Sequence, residues 1–180
     1  MKNSLMVILL VTFLCFTFGC QEREAMAELE ALKDQSGVED QNMQIIKRFF
    51  ASENLEIEEM FAALDELLAP DFIAHSLSGD LKGPEGMKKY IEANARTFSD
   101  MKHTIEDIFA RADKVAVRCR FHATQIRDFL GISPKGNQID ISAIYIFRVE
   151  DGKIQEEWVE ADFKGMIEQL GMELKLKEEK

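Results

Sequence analysis

The sequence predicts an α+β fold in which helices come first and an antiparallel sheet comes after them. Three observations carry this. Apolar residues recur at helical spacing as far as Phe98, the period changes to alternation from Met101 onward, and an Asp151-Gly152 turn joins two apolar-rich runs that lead into a short closing helix. Helices segregated in sequence from consecutive strands give an α+β domain, not a doubly wound sheet.

The start of the chain differs in character from the rest. Lys2 precedes an uncharged apolar run from Leu5 to Phe18 that ends in Gly19-Cys20. The run is shorter than the roughly 20 residues a membrane span needs and suits a signal-peptide core, so residues 1–20 are read as a signal segment. Its end resembles a bacterial lipoprotein signal, with Thr17 where leucine is usual. The resemblance implies lipid on Cys20 and an exported chain anchored to a membrane of the cell envelope; simple secretion and an uncleaved anchor are the alternatives. Residues 21–40 read as an acidic tether, 41–171 as one domain with enough apolar residues to enclose a cavity, and 172–180 as a charged tail.

Within the domain, Met43, Ile46, Phe49 and Phe50 mark one amphipathic helix. Ile57, Met60, Phe61, Leu64, Leu67 and Leu68 mark a second, stopped by Pro70. Asp71 to His75 is a short extended segment and Ser76 to Gly83 a turn. Pro84 then opens a third helix through Met87, Tyr90, Ile91, Ala95 and Phe98. The alternation from His103 to Phe109 allows either facing. In the next strand Val115, Val117, Cys119, Phe121, Ala123 and Gln125 share one side, and Arg118, Arg120 and His122 the other. A loop from Phe129 to Gly136 leads into the hairpin.

Composition removes several function classes. A formal net charge of −11 makes an unaided nucleic-acid or anionic-headgroup surface unsuitable. The three cysteines are Cys15 and Cys20 in the signal segment and a lone Cys119, so no disulfide framework is expected. There is no glycine-rich phosphate loop, no nucleophile elbow and no histidine pair at metal spacing, and His75, His103 and His122 fall on separate elements. No metal or cofactor is assigned. What remains is acid-base work.

A two-residue loop at Asp151-Gly152 pairs Phe147 with Glu156, Tyr145 with Trp158, Ala143 with Glu160 and Ile141 with Asp162, all on one face. On that register Asp162 ends an apolar cavity bounded by Tyr145, Trp158 and Phe163, where desolvation lifts a carboxyl toward neutral pH and fits it for proton transfer. Its alternative role is the N-cap of the helix marked by Phe163, Met166, Ile167 and Leu170. Glu160 lies nearer solvent or in an ion pair, with a direct role at the pocket as its alternative. His75 is either a proton partner or donor at the cavity or a satisfied loop histidine. Trp158, Tyr145, Phe121 and Tyr90 are pocket wall or core, Tyr145 being the one whose hydroxyl can orient a ligand, and Gln125 donates to a ligand oxygen or caps its strand. The Arg118, Arg120, His122 side, with Ile144, Ile146, Val159 and Ala161, is mixed in polarity and fits a dimer surface.

Several segments together resemble the SnoaL-like polyketide cyclase, or ester cyclase, family. They are Asp65-Glu-Leu-Leu-Ala-Pro-Asp-Phe-Ile-Ala-His75, Gly83-Pro-Glu-Gly-Met87, Asp113-Lys-Val-Ala-Val-Arg118, Phe129-Leu-Gly-Ile-Ser-Pro-Lys-Gly136, Ile146-Phe-Arg-Val-Glu-Asp-Gly-Lys-Ile154, Trp158, Asp162 and Gln169-Leu-Gly171. The resemblance implies a nuclear transport factor 2-like fold, a cone-shaped barrel of helices on a curved antiparallel sheet that commonly dimerises through the sheet. It also implies intramolecular aldol ring closure without metal or cofactor. Asp162 looks like the family's acid-base aspartate, and His75 matches a frequent histidine. Thr124-Gln125 departs from the frequent Thr-His. The expected function is acid-base cyclase or isomerase chemistry on a small carbonyl or ester compound in an apolar pocket; the alternatives are a non-catalytic small-molecule-binding lipoprotein and a purely structural dimer.

Overall fold

The computed structural model describes the backbone of residues 2–76 and 79–172 and the side chains of residues 23–76 and 79–172. The expected signal segment with Cys20 and the tail beyond Met172 lie outside the described side chains. Two units are distinguished, Met1–Val38 and Glu39–Lys180. In the first, the described side chains belong to helix α1 (Lys2–Ala51) and are almost all exposed, as a stretch with no apolar stripe requires. The stretch expected as a tether is helical. Among the described residues no helix is long and apolar enough to cross a membrane.

The second unit holds the end of α1, a 3₁₀ turn at Ser52–Asn54, and helices α2 (Ile57–Leu67), α3 (Gly83–Thr97) and α4 (Phe163–Gln169). Its strands are β1 (Leu68–Ser76), β2 (Gly79–Lys82), β3 (Phe98–Arg111), β4 (Lys114–Gln125), β5 (Gln138–Glu150) and β6 (Lys153–Ala161). They form one sheet in the order β2-β1-β6-β5-β4-β3. The four long strands expected from alternation are β3 to β6, paired antiparallel in sequence order. The sheet as a whole is mixed, which corrects the purely antiparallel expectation: β1 pairs parallel with β6 and carries β2 on its free side. A short extended segment does not announce a partner so remote in sequence.

One face of the sheet is covered. Ile46 and Phe50 of α1, Leu64 and Leu67 of α2 and Met87 of α3 pack with Phe72, Val115, Val117, Phe147 and Ile154 in one core. A second cluster of Phe98, Ala123, Ile139, Ile141 and Leu170 lies beneath α4. Polar ties fix α1 and α2 to the turns of the sheet. Asn42 Nδ2 donates to the Ala112 carbonyl at 3.1 Å, the Ala112 N–H donates to Glu39 at 3.0 Å, and Lys153 Nζ donates to the Glu66 carbonyl at 2.7 Å at the end of α2.

The β5–β6 turn has the expected form, with φ of 52° at Asp151 and 73° at Gly152. Glu150 pairs with Lys153 and Val149 with Ile154, as a two-residue loop demands. The register then shifts, Gln155 is passed over, and Arg148 pairs with Glu156, Phe147 with Glu157, Tyr145 with Val159 and Ala143 with Ala161. Such a bulge turns every later side chain of the strand to the other face. The expected partners Trp158 and Glu160 therefore do not share the face of Tyr145, while Glu157, Val159 and Ala161 do.

Candidate functional site

The covered face of the sheet brings together three polar groups that no local motif links. Glu53 stands in the 3₁₀ turn after α1, His103 on β3 and Tyr145 on β5. His103 Nδ1 lies 2.6 Å from Glu53 Oε1, and the His103 backbone N–H donates to Glu53 Oε2 at 3.1 Å. The Tyr145 hydroxyl lies 2.9 Å from His103 Nε2. A carboxylate only accepts, so it fixes the proton on Nδ1 and leaves Nε2 to accept from the tyrosine. The result is a carboxylate–imidazole–phenol chain with one direction of donation.

Aromatic rings hold this chain in place. The His103 ring lies 4.8 Å from Phe121 and 5.5 Å from Phe50, and the Tyr145 ring lies 5.5 Å from Phe50 and stacks on Phe147 at 5.9 Å. Burial, with the neighbouring Glu157 next in effect, pushes the Tyr145 phenol well above its usual value near 10, so it works as a neutral hydroxyl. The side chains of His103 and Glu53 keep 15% and 27% exposure, so the chain is reachable from outside.

Glu157 shares this face. It is opposite Phe147 on β5 and beside Ala74 on β1, and it is buried at 6% exposure. Burial, and secondly the charge of Glu53, push its carboxyl up to about 8. Its Oε2 is buried without a hydrogen-bond partner. Cys119, also on this face, is a free buried thiol pushed up to about 12 by burial, which makes it inert. Among the described residues no group of three His, Cys, Asp or Glu side chains is placed to hold a metal ion.

The SnoaL-like polyketide cyclase family model matches residues 38–170. The chain belongs to that family. TsrD from Streptomyces laurentii has 31% sequence identity and a TM-score of 0.63, over 73% of this chain and 96% of that one. IdmH from Streptomyces antibioticus has 28% identity and a TM-score of 0.63, over 73% and 99%. A SnoaL-like protein from Jannaschia sp. CCS1, with 21% identity and a TM-score of 0.65 over 76% and 95%, shares the fold. No curated protein matches the chain by sequence. The helices on a curved mixed sheet are the nuclear transport factor 2-like cone of this family.

Within that fold, Tyr145 and Phe121 lie on the covered face against His103. Tyr90 on α3 is 40% exposed and acts electrostatically on Tyr145. Gln125 is fully buried but faces the loop after β4, its Nε2 donating to the carbonyls of Arg127 at 3.0 Å and Ile132 at 2.7 Å. Asp162 is exposed and caps α4, its Oδ1 accepting from the Gly165 N–H at 2.8 Å. That is the helix-capping alternative, and the closed cavity end expected around Asp162 is not where the bulged register leaves it. Glu160 is exposed opposite Ile144 on the uncovered face.

His75 is also on the uncovered face, because Phe72 and Ala74 turn inward. Its ring stacks on Trp158 at 5.3 Å, and its Nδ1 lies 3.0 Å from Asp80 Oδ1. Lys114 Nζ sits 5.3 Å from the Trp158 ring centroid. The partners of His75 and those of Asp162 are thus separate sets. Glu53, His103 and Glu157 were not singled out by their sequence context. Glu53 looks like any loop acid, and His103 lies between two register shifts in β3. Glu157 faces inward only because Gln155 is passed over in the pairing, which the residues around it do not mark.

Proposed function

We propose that this SnoaL-like chain carries out acid-base cyclase or isomerase chemistry on a small carbonyl or ester compound held in an apolar pocket at the covered face of the sheet. The Glu53–His103–Tyr145 chain is the observation that supports the reading. In it, a proton leaving the carbon next to a substrate carbonyl passes to the Tyr145 oxygen as the tyrosine proton moves to His103 Nε2, and the Glu53 carboxylate stabilises the imidazolium. Return of that proton to the alkoxide formed on ring closure completes the cycle. Asp162 and His75, the residues favoured by sequence, have no place in this step.

The test is exchange of the acidic carbon-bound protons of β-keto esters in heavy water, followed by proton NMR with the purified full chain. Tyr145→Phe and Glu53→Gln should slow enzyme-dependent exchange by roughly a hundredfold or more, and Asp162→Asn should leave it unchanged. Loss in Asp162→Asn with full activity in Tyr145→Phe would return the role to the aspartate. Ligand retention without exchange in any chain would make this a binding module.

Two further parts belong to the proposal. The uncovered sheet face carries Phe109, Ala116, Ile146, Trp158 and His75 in one row of register, with Phe109 64% and Ile146 42% exposed. Rows of both charge signs lie beside it, including Arg118 with Asp107 and Arg148 with Glu156. An apolar row between self-complementary charges suits a twofold homodimer. Ile146→Glu should convert it to monomer in sedimentation. The apolar run Leu5–Phe18 and Gly19-Cys20 support export and lipid anchoring at Cys20; Cys20→Ala should abolish incorporation of labelled palmitate.

A further inference from the structure

The proton chain makes no use of Glu157, yet the fold places this carboxyl on the same face as Tyr145. Phe147 is the direct cross-strand partner of Glu157, and Tyr145, two residues along β5, is its diagonal neighbour. Both side chains therefore lie on the covered face, and Glu157 is the first charge to act on the Tyr145 phenol. Oε2 of Glu157 is buried with no partner, a rare state in folded proteins and one that points to a group still to be supplied. No register irregularity separates Phe147–Glu157 from Tyr145–Val159, so the pairing itself holds the carboxyl there.

We propose that Glu157 donates a hydrogen bond to the carbonyl oxygen of an uncharged ligand, so that the site takes neutral ketones and esters and turns carboxylates and phosphates away. This rests on the interior site proposed above and assigns it an electrophilic group opposite its base. Glu53 of the 3₁₀ turn acts on Glu157 by its charge; around its diagonal neighbour Tyr145 stand Glu53 again, Cys119 of β4 and Tyr90 of α3, with His103 of β3 at the tyrosine hydroxyl. Helices α1 and α2 contribute Phe50, Leu64 and Leu67 to the core, and β1 contributes Phe72 and Ala74. None of these is a lysine or arginine, and the one that acts on Glu157 by its charge is a carboxylate. An anionic ligand would meet repulsion from Glu53 and no lysine or arginine among these groups. At neutral pH burial keeps the proton on Glu157, which makes it a donor toward a carbonyl.

Fluorine NMR on the full chain separates the possibilities, with 4′-fluoroacetophenone as a neutral ketone and 4-fluorobenzoate as its anionic counterpart. The ketone should bind at about pH 6.5 and about tenfold more weakly at about pH 9, once Glu157 ionises. Glu157→Gln keeps an N–H donor and should bind the ketone with no such pH dependence. Glu157→Leu, apolar and similar in volume, should weaken ketone binding about tenfold in a chain shown by thermal unfolding to be folded. Benzoate should not bind to the wild type. Equal ketone affinity in wild type and Glu157→Leu overturns the proposal, as does benzoate binding as tight as the ketone or no ketone binding at all. Because binding alone is read, a Tyr145→Phe chain that loses exchange but holds the ketone counts for Glu157 whatever becomes of the proton chain.

Discussion

Replacing Glu157 by glutamine should change how stability depends on pH more than it changes stability itself. The carboxyl is displaced from 4.5 to about 8 by burial and by the charge of Glu53. Below pH 4.5 the folded and unfolded chains both hold the proton, and the folded state keeps its full stability. As pH rises the unfolded chain releases the proton first, so stability falls through the window from 4.5 to about 8 and levels off above it. At about 1.4 kcal/mol per pH unit, the loss over that window is about 5 kcal/mol. Glutamine has nothing to ionise and escapes it. Urea unfolding of both chains between about pH 5 and about pH 9 should show a difference that opens in favour of Glu157→Gln by several kcal/mol. Parallel curves would refute the reasoning, because they would mean that Glu157 titrates alike in the folded and unfolded states.

Asp162→Ala should cost about 1 kcal/mol through loss of the α4 cap and Asp162→Asn close to nothing, measured by chemical unfolding. A Gly165→Ala chain should lose stability too, since the added Cβ would lie against Asp162 Oδ2, far inside van der Waals contact, and displace the cap. Gln125→Leu strips the Arg127 and Ile132 carbonyls of a donor and should cost about 2 kcal/mol, with faster amide hydrogen exchange between residues 126 and 137. Ala112 sits at φ 52° in the β3–β4 turn, so Ala112→Gly should raise the unfolding free energy by about 0.5 to 1 kcal/mol.

The helices around Met43–Phe50, Ile57–Leu67 and Met87–Ala95 and the four long strands were legible because each buries one face, and burial imposes a period on its own residues, while the end residues Leu68 and Phe98, expected as helix, open β1 and β3. The turn at Asp151-Gly152 was legible because few dipeptides accept two positive φ angles. Family membership was legible for a related reason, since it rests on short ordered segments that keep these local constraints. Of the site, Tyr145 and Phe121 could be placed from alternation within β5 and β4.

Glu53, His103 and Glu157 could not. Their meeting depends on which strand lies beside which, and on where a residue is passed over in the pairing. The bulge at Gln155 decided the largest question, since one skipped residue exchanged Trp158 and Glu160 for Glu157 and Val159 on the covered face. The parallel docking of β1 on β6 then settled that His75 meets Trp158 outside while Ala74 meets Glu157 within. Sequence by itself determined the helices and the four long strands, whose periods are local consequences of burial, but not β2, whose residues read as a turn. Only the tertiary structure decided the site, because register and strand adjacency arise from packing between segments far apart in the chain.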